Sequence, residues 1–249
     1  MNKYQLHLGD CMEILDTLQS VDAIITDPPY MINTKSDGNK KLNPWSDYCN
    51  GAFWYTAWLR KAREHLKPTG CLWTCLNWRS LVTFQKAACD AGWPIESLLV
   101  WDKGWIGPGG TKGLRPSYEL VALFAMPDFA IPNRGLPDVQ RFKWSSFKPN
   151  GHPAEKPEDL MRFLIEISTK EGDTVADIFM GSGTTGAAAV KSGRQFIGIE
   201  QDEGWYKIAE NRIREACTAL EIARGGVLIA MIFNSRLLHH LTRKEHHHE

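Results

Sequence analysis

Val21-Asp22-Ala23-Ile24-Ile25-Thr26-Asp27-Pro28-Pro29-Tyr30 is an apolar run that ends in a carboxylate, two rigid prolines and an aromatic ring. The run reads as a buried strand, so the tetrapeptide 27–30 projects from a strand's carboxyl end. Ligands bind at that end in open α/β sheets, which favours a site over the bland alternative, a Pro-Pro turn leaving a strand.

Working outward, strand patterns recur at 3–8, 71–76, 95–101, 118–126, 174–179 and 194–199. Helical spacing occupies 53–66, 80–91, 157–170, 185–192 and 202 to about 224, with Glu158 and Asp159 at the positive end of one helix. This alternation predicts a mostly parallel, doubly wound α/β sheet covered on both faces. Three stretches interrupt it: 31–50 is long and polar, 103–117 is rich in Gly and Pro, and in 127–151 four prolines should break any regular element. The expected organisation is a catalytic half (1–126), a short target-recognition insert (127–151), a cofactor half of the same domain (152–224) and a tail (225–249).

A chain of 249 residues with zero net charge has the length for one substantial core and is not uniformly basic. No apolar run approaches the roughly eighteen residues of a membrane span, and the N-terminus lacks a secretory hydrophobic region. A cytoplasmic protein without membrane contact is expected. The six cysteines (11, 49, 71, 75, 89, 217) match no paired zinc spacing, and Cys71 and Cys75 read as core thiols, so no metal is expected. Histidines 239, 240 and 246–248 read as part of a disordered tail.

Asp177-Ile178-Phe179-Met180-Gly181-Ser182-Gly183-Thr184-Thr185-Gly186 lies between a strand and a helix, where glycines admit a ligand close to the backbone and helix N–H groups favour an anionic end. It lacks the Gly-Lys-Ser/Thr ending of a phosphate loop. Glu200 ends the next strand, the position at which dinucleotide folds bind a ribose hydroxyl pair. An NAD-type cofactor matches in part, but its glycine spacing differs. S-adenosylmethionine (SAM) matches better: its carboxylate suits the Ser/Thr hydroxyls and amides, its ribose Glu200 and its cationic end Asp177.

With Leu8-Gly9-Asp10, the 21–30 run, His152-Pro153-Ala154-Glu155-Lys156-Pro157, the glycine loop and Gly198-Ile199-Glu200 in this order, the chain resembles the amino-methylating DNA methyltransferases. The resemblance is to the permuted (beta-class) subgroup, in which Asp-Pro-Pro-Tyr precedes the cofactor loop. It implies the seven-stranded, circularly permuted SAM methyltransferase sheet, with cofactor contacts at Asp10, Cys11, Asp27, Lys156, Pro157, Asp177, Phe179, Gly181, Ser182, Gly183, Thr184, Thr185 and Glu200. Asp10 would meet the adenine amino group, and Lys156-Pro157 would line the methionine end. Two departures stand out: Ile178 replaces the family's usual proline, and Tyr118 replaces a histidine before Glu119.

The implied reaction is N6 methylation of adenine in double-stranded DNA. Asp27 and the Pro28 carbonyl would hold the exocyclic amine, Pro29 would fix the aromatic ring, and Tyr30 would stack on the flipped base. Cytosine-N4 methylation is the nearest alternative, and such enzymes more often carry Ser at the Asp27 position. A catalytically silent SAM- or DNA-binding protein is the alternative of another class, against which intact Asp27, Tyr30, Asp177 and Glu200 argue. Loops 103–117, 127–150 and 31–50 carry +3, +2 and +1 in a chain of net zero. Lys35, Lys103, Lys112, Arg115, Arg134, Arg141, Lys143 and Lys148 are the expected DNA contacts, with Trp105 and Trp144 set among them either to stack on DNA or to pack under a loop. The short recognition segment and the subgroup resemblance favour a homodimer.

Overall fold

The computed structural model of the chain describes residues 3–30, 48–107, 112–144 and 155–222. Lys35, Lys148, most of loop 31–50, residues 152–154 and the histidine-bearing tail lie outside the described residues.

Among the described residues eight strands form one sheet in the order β1-β8-β7-β2-β3-β5-β4-β6, where β1 is Tyr4–Leu8, β2 Val21–Thr26, β3 Leu66–Leu76, β4 Ser97–Asp102, β5 Tyr118–Ala125, β6 Val139–Arg141, β7 Thr174–Asp177 and β8 Gln195–Glu200. Of these described strands only β5 pairs antiparallel with its neighbours, β3 and β4. The carboxyl ends of seven strands and the amino end of β5 therefore lie along one edge.

The sequence implied seven strands. The eighth is β6, three residues within 127–151, where prolines were expected to exclude regular structure. Val139, Gln140 and Arg141 contain no proline and add to the open edge of β4, pairing Val100 with Val139 and Asp102 with Arg141. The prolines bound the strand without entering it.

The two faces hold separate cores. On one, α2 (Tyr48–Glu64) and α3 (Leu81–Asp90) bring Trp58, Leu59 and Phe84 onto Ile24, Leu72 and Phe124. A short α1 (Cys11–Ile14) and its following 3-10 turn pack on the same side. On the other face, α4 (Glu158–Ser168), α5 (Thr184–Lys191) and α6 (203–222) cover Ile25, Trp73, Val121 and Val175 with Leu160, Leu164, Ala188 and Ile213. Each fully buried Leu, Ile or Phe stabilises by about 1.5–3 kcal/mol. The small residues of α5 let it lie close: a Cβ on Gly186 would stand 2.5 Å from Ile213 Cδ1. Cys71 and Cys75 are buried free thiols on β3, and burial pushes Cys71 up to about 12, so neither acts as a thiolate. Among the described residues no helix is long and apolar enough to cross a membrane.

Candidate active site

Four carboxylates follow one another along the β1-β8-β7-β2 part of the shared edge. Asp10 follows β1, Glu200 ends β8, Asp177 ends β7 and Asp27 follows β2. With about 4.8 Å between neighbouring strands, the row spans about 14 Å. All four border one cavity of about 340 Å³, within the usual range for small-ligand sites.

The row is held from below by backbone amides. Asp10 caps α1, its Oδ1 accepting the Met12 N–H at 2.8 Å, and Gly9 N–H donates to the Glu200 carbonyl at 2.9 Å. The Glu200 carboxylate accepts Gly181 N–H and Asp202 N–H, each at 2.9 Å, which fixes both oxygens' direction. Asp177 is buried, and its Oδ1 accepts the Thr26 hydroxyl at 2.6 Å and Phe179 N–H at 3.1 Å. Burial outweighs these donors and raises its pKa from 3.8 to about 6.

Next to this row the tetrapeptide 27–30 sits in a cluster of charges. Asp27 Oδ2 accepts Lys156 Nζ at 2.5 Å, while Asp27 Oδ1 is buried with no hydrogen-bond partner among the described residues. Such an atom is costly to bury unless a ligand completes it. The Tyr55 hydroxyl donates to the Pro29 carbonyl at 3.0 Å, tying the turn to α2. Tyr30 is half-buried, its hydroxyl donating to Glu119 Oε2 at 3.3 Å, with Lys156 Nζ 5.3 Å from its ring centre. Burial and the Asp27 and Glu119 charges raise the Tyr30 pKa, so the phenol stays neutral.

The model of the N6/N4 DNA methylase family matches residues 21–211, which hold the tetrapeptide, the glycine loop and Glu200. The chain belongs to this family. It is 30% identical over 221 residues to YubD of Escherichia coli (strain K12), covering 86% of this chain and 91% of that protein. It is 29% identical to the type II methyltransferase M2.DpnII of Streptococcus pneumoniae over 241 residues, 85% of this chain and 90% of that one. The crystal structure of an M1.HpyAVI–SAM complex superposes with a TM-score of 0.66 at 27% identity, over 84% of this chain and 99% of that chain.

In this methylase, eleven residues singled out for the cofactor border the cavity: Asp10, Cys11, Asp27, Lys156, Asp177, Phe179, Gly181, Ser182, Thr184, Thr185 and Glu200. Pro157 and Gly183 do not. Pro157 is the N-cap of α4, and Gly183, at φ 78°, turns the chain into α5 where a Cβ would lie 2.9 Å from Ala209 Cα. Lys156, which borders the same cavity, pairs with Asp27 at 2.5 Å and with Glu119 at 3.5 Å. Burial and the Asp10 charge push Cys11 up to about 12, making it wall and not nucleophile.

The expected DNA contacts divide. Lys112, Arg115, Arg134, Arg141 and Lys143 are exposed, although Arg115 also ties its loop to the Gly107 carbonyl at 2.8 Å and Arg141 pairs with Asp102 at 2.6 Å. Lys103 differs from these: its ammonium turns inward onto the half-buried Glu119 at 2.5 Å. Trp105 and Trp144 stack on each other, ring centres 4.3 Å apart and planes 19° from parallel. Trp54, which borders the cavity and lies 5.4 Å from the Phe179 ring, was not anticipated, being masked by the apolar periodicity of α2. Glu119 carries no sequence signal beyond its place after Tyr118.

Proposed function

We propose that this methylase transfers the methyl group of SAM to the N6 amine of an adenine rotated out of double-stranded DNA, as a member of the permuted Asp-Pro-Pro-Tyr subgroup. One observation carries the reading: the carboxylates Asp10, Glu200, Asp177 and Asp27 follow one another on adjacent strands, matching in order an adenine amine, a ribose diol, a cationic amino-acid end and an amine acceptor. The residues present suit SAM. Glu200, with both oxygens oriented by amides, can accept the two ribose hydroxyls; Asp177 can pair with the ammonium; Gly181, Ser182 and Thr184 offer donors for the carboxylate. When bound, SAM supplies an electrophilic methyl on a sulfonium. M1.HpyAVI, the structural relative above, was crystallised with SAM.

The chain's own residues do the rest. Asp27 Oδ1, buried and lacking a partner among the described residues, accepts one amine hydrogen, and the Pro28 carbonyl accepts the other. Both acceptors draw the nitrogen away from planarity and aim its lone pair. The Tyr30 face replaces part of the stacking lost on base rotation, about 1–3 kcal/mol for one aromatic contact. A carboxylate is too weak a base to deprotonate a neutral amine, whose conjugate base is far stronger. The proton therefore leaves after methyl transfer, through Asp27 Oδ1. Assembly as a homodimer belongs to the same reading, supported by the short 127–151 segment; sedimentation velocity with and without DNA tests it.

The N6/N4 family takes in two exocyclic amines, and Asp27 in place of serine favours adenine. Incubation with unmethylated DNA and methyl-labelled SAM, followed by digestion to nucleosides and mass analysis, decides. Label in N6-methyladenine is expected; label in N4-methylcytosine keeps the mechanism and replaces the base.

A further inference from the structure

Glu119 lies near the amino end of β5, the one described strand that runs against its neighbours, so it reaches the edge where the other strands end. Its two oxygens serve three donors. Oε1 accepts Lys103 Nζ at 2.5 Å, and Oε2 faces the Tyr30 hydroxyl at 3.3 Å and Lys156 Nζ at 3.5 Å. Lys156 continues to Asp27 Oδ2 at 2.5 Å. Side-chain exposures fall to 7% for Lys156, 15% for Lys103, 18% for Glu119 and 23% for Asp27. Charges so sheltered persist only when paired, and two ammoniums with two carboxylates leave no net charge beside the base pocket.

We propose that Glu119 is a positioning residue for methyl transfer. Anchored from behind by Lys103, it holds Lys156 and Tyr30 so that Asp27 gives Oδ2 to the ammonium and keeps Oδ1 for the substrate amine. The inference rests on the functional reading above.

A carboxylate pinned through one oxygen cannot rotate, so the direction of the other is set before substrate arrives. The cluster orients and does not relay protons. Burial disfavours the Lys156 charge, but Asp27 and Glu119 outweigh it and raise the pKa; Lys156 already holds its proton and cannot take the one the methylated amine loses. Burial likewise opposes the Glu119 charge, and Lys156 and Lys103 reverse the shift, leaving Glu119 ionised at neutral pH. The released proton therefore passes from Asp27 Oδ1 to solvent.

Glu119→Gln keeps the shape and removes the charge. It should lower kcat by about ten- to a hundred-fold, the scale of a small misalignment of reacting groups. KM for DNA and the Kd of S-adenosylhomocysteine should stay within about two-fold, because no contact to either ligand is lost. Lys103→Met removes only the outer anchor and should show the same split with a smaller loss, about three- to ten-fold, which serves if Glu119→Gln does not fold. Wild-type kcat in both folded variants, or kcat and cofactor affinity falling together, overturns the inference. A wild-type protein that transfers no methyl in the same assay overturns the functional reading instead, and this inference with it.

Discussion

Asp177 illustrates how a functional residue sets its own conditions. Its pKa stands near 3.8 when exposed and about 6 in the fold, so the folded protein holds this proton to higher pH than the unfolded chain. Asp177 therefore opposes folding progressively as pH rises from about 4 to 6, by about 1.4 kcal/mol per pH unit, and the penalty is constant above that. A cationic ligand offsets it. Asp177→Asn should raise the ligand-free melting temperature at pH 8 while weakening S-adenosylhomocysteine binding, as calorimetry on one sample can read. In the wild type, affinity for the same ligand should fall as pH drops through 6, and a flat profile from pH 5 to 8 would argue against an ammonium at Asp177. Tyr30→Ala should raise KM for DNA by about ten-fold through lost stacking, while Tyr30→Phe, which keeps the ring, should leave KM near wild type. Asp27, Asp177 and Glu200 were legible in the sequence because each punctuates an apolar run. Lys156 was visible as a residue but its partner was not, since nothing in local spacing says which carboxylate a lysine will meet 129 positions away.

At the scale of elements, the glycine loop joins strand to helix, and its glycines answer to different demands. Gly181 N–H holds Glu200, whereas Gly183 is fixed by packing against α6 and a left-handed backbone. Gly183→Ala should cost about 1–3 kcal/mol in urea unfolding, through strain and the clash with Ala209, while leaving the fold otherwise intact. The strands β1, β2, β4, β5, β7 and β8 were readable from apolar runs and turn residues, whereas β3 begins at Leu66, five residues before its apolar run, because Pro68 and Gly70 read as a break. Direction was not. Tyr118 to Ala125 has the same apolar signature whichever way it runs, and only its pairing with Cys71 to Leu76 shows that its amino end, with Glu119, reaches the site edge. β6 escaped because three exposed or half-buried residues at an edge carry no periodic signal against the surrounding prolines.

For the whole molecule, a neutral chain presents a cationic rim beside an acidic cleft. Lys112, Arg115 and Lys143 are exposed on the segments that follow β4 and β6 at the site edge, where Trp105 and Trp144 stack on each other, whereas Arg134 follows β5 to the opposite edge. If these cations track phosphates, log Kd for DNA should rise with log salt with a slope of about 3 to 5, and Lys112→Ala or Lys143→Ala should each remove about one unit of it. A salt-independent Kd would assign the rim another role. The loop charge was legible from composition, whereas the inward turn of Lys103 required the half-buried carboxylate sixteen residues later on β5. The account as a whole turns on Asp27 Oδ1 as the acceptor of a substrate amine. The most direct test compares wild type and Asp27→Ala for methyl transfer from labelled SAM to unmethylated DNA, with S-adenosylhomocysteine binding measured on the same preparations. The expected result is transfer by wild type and loss of at least about a thousand-fold in the variant, with cofactor affinity retained. Transfer by Asp27→Ala at a rate near wild type would contradict it.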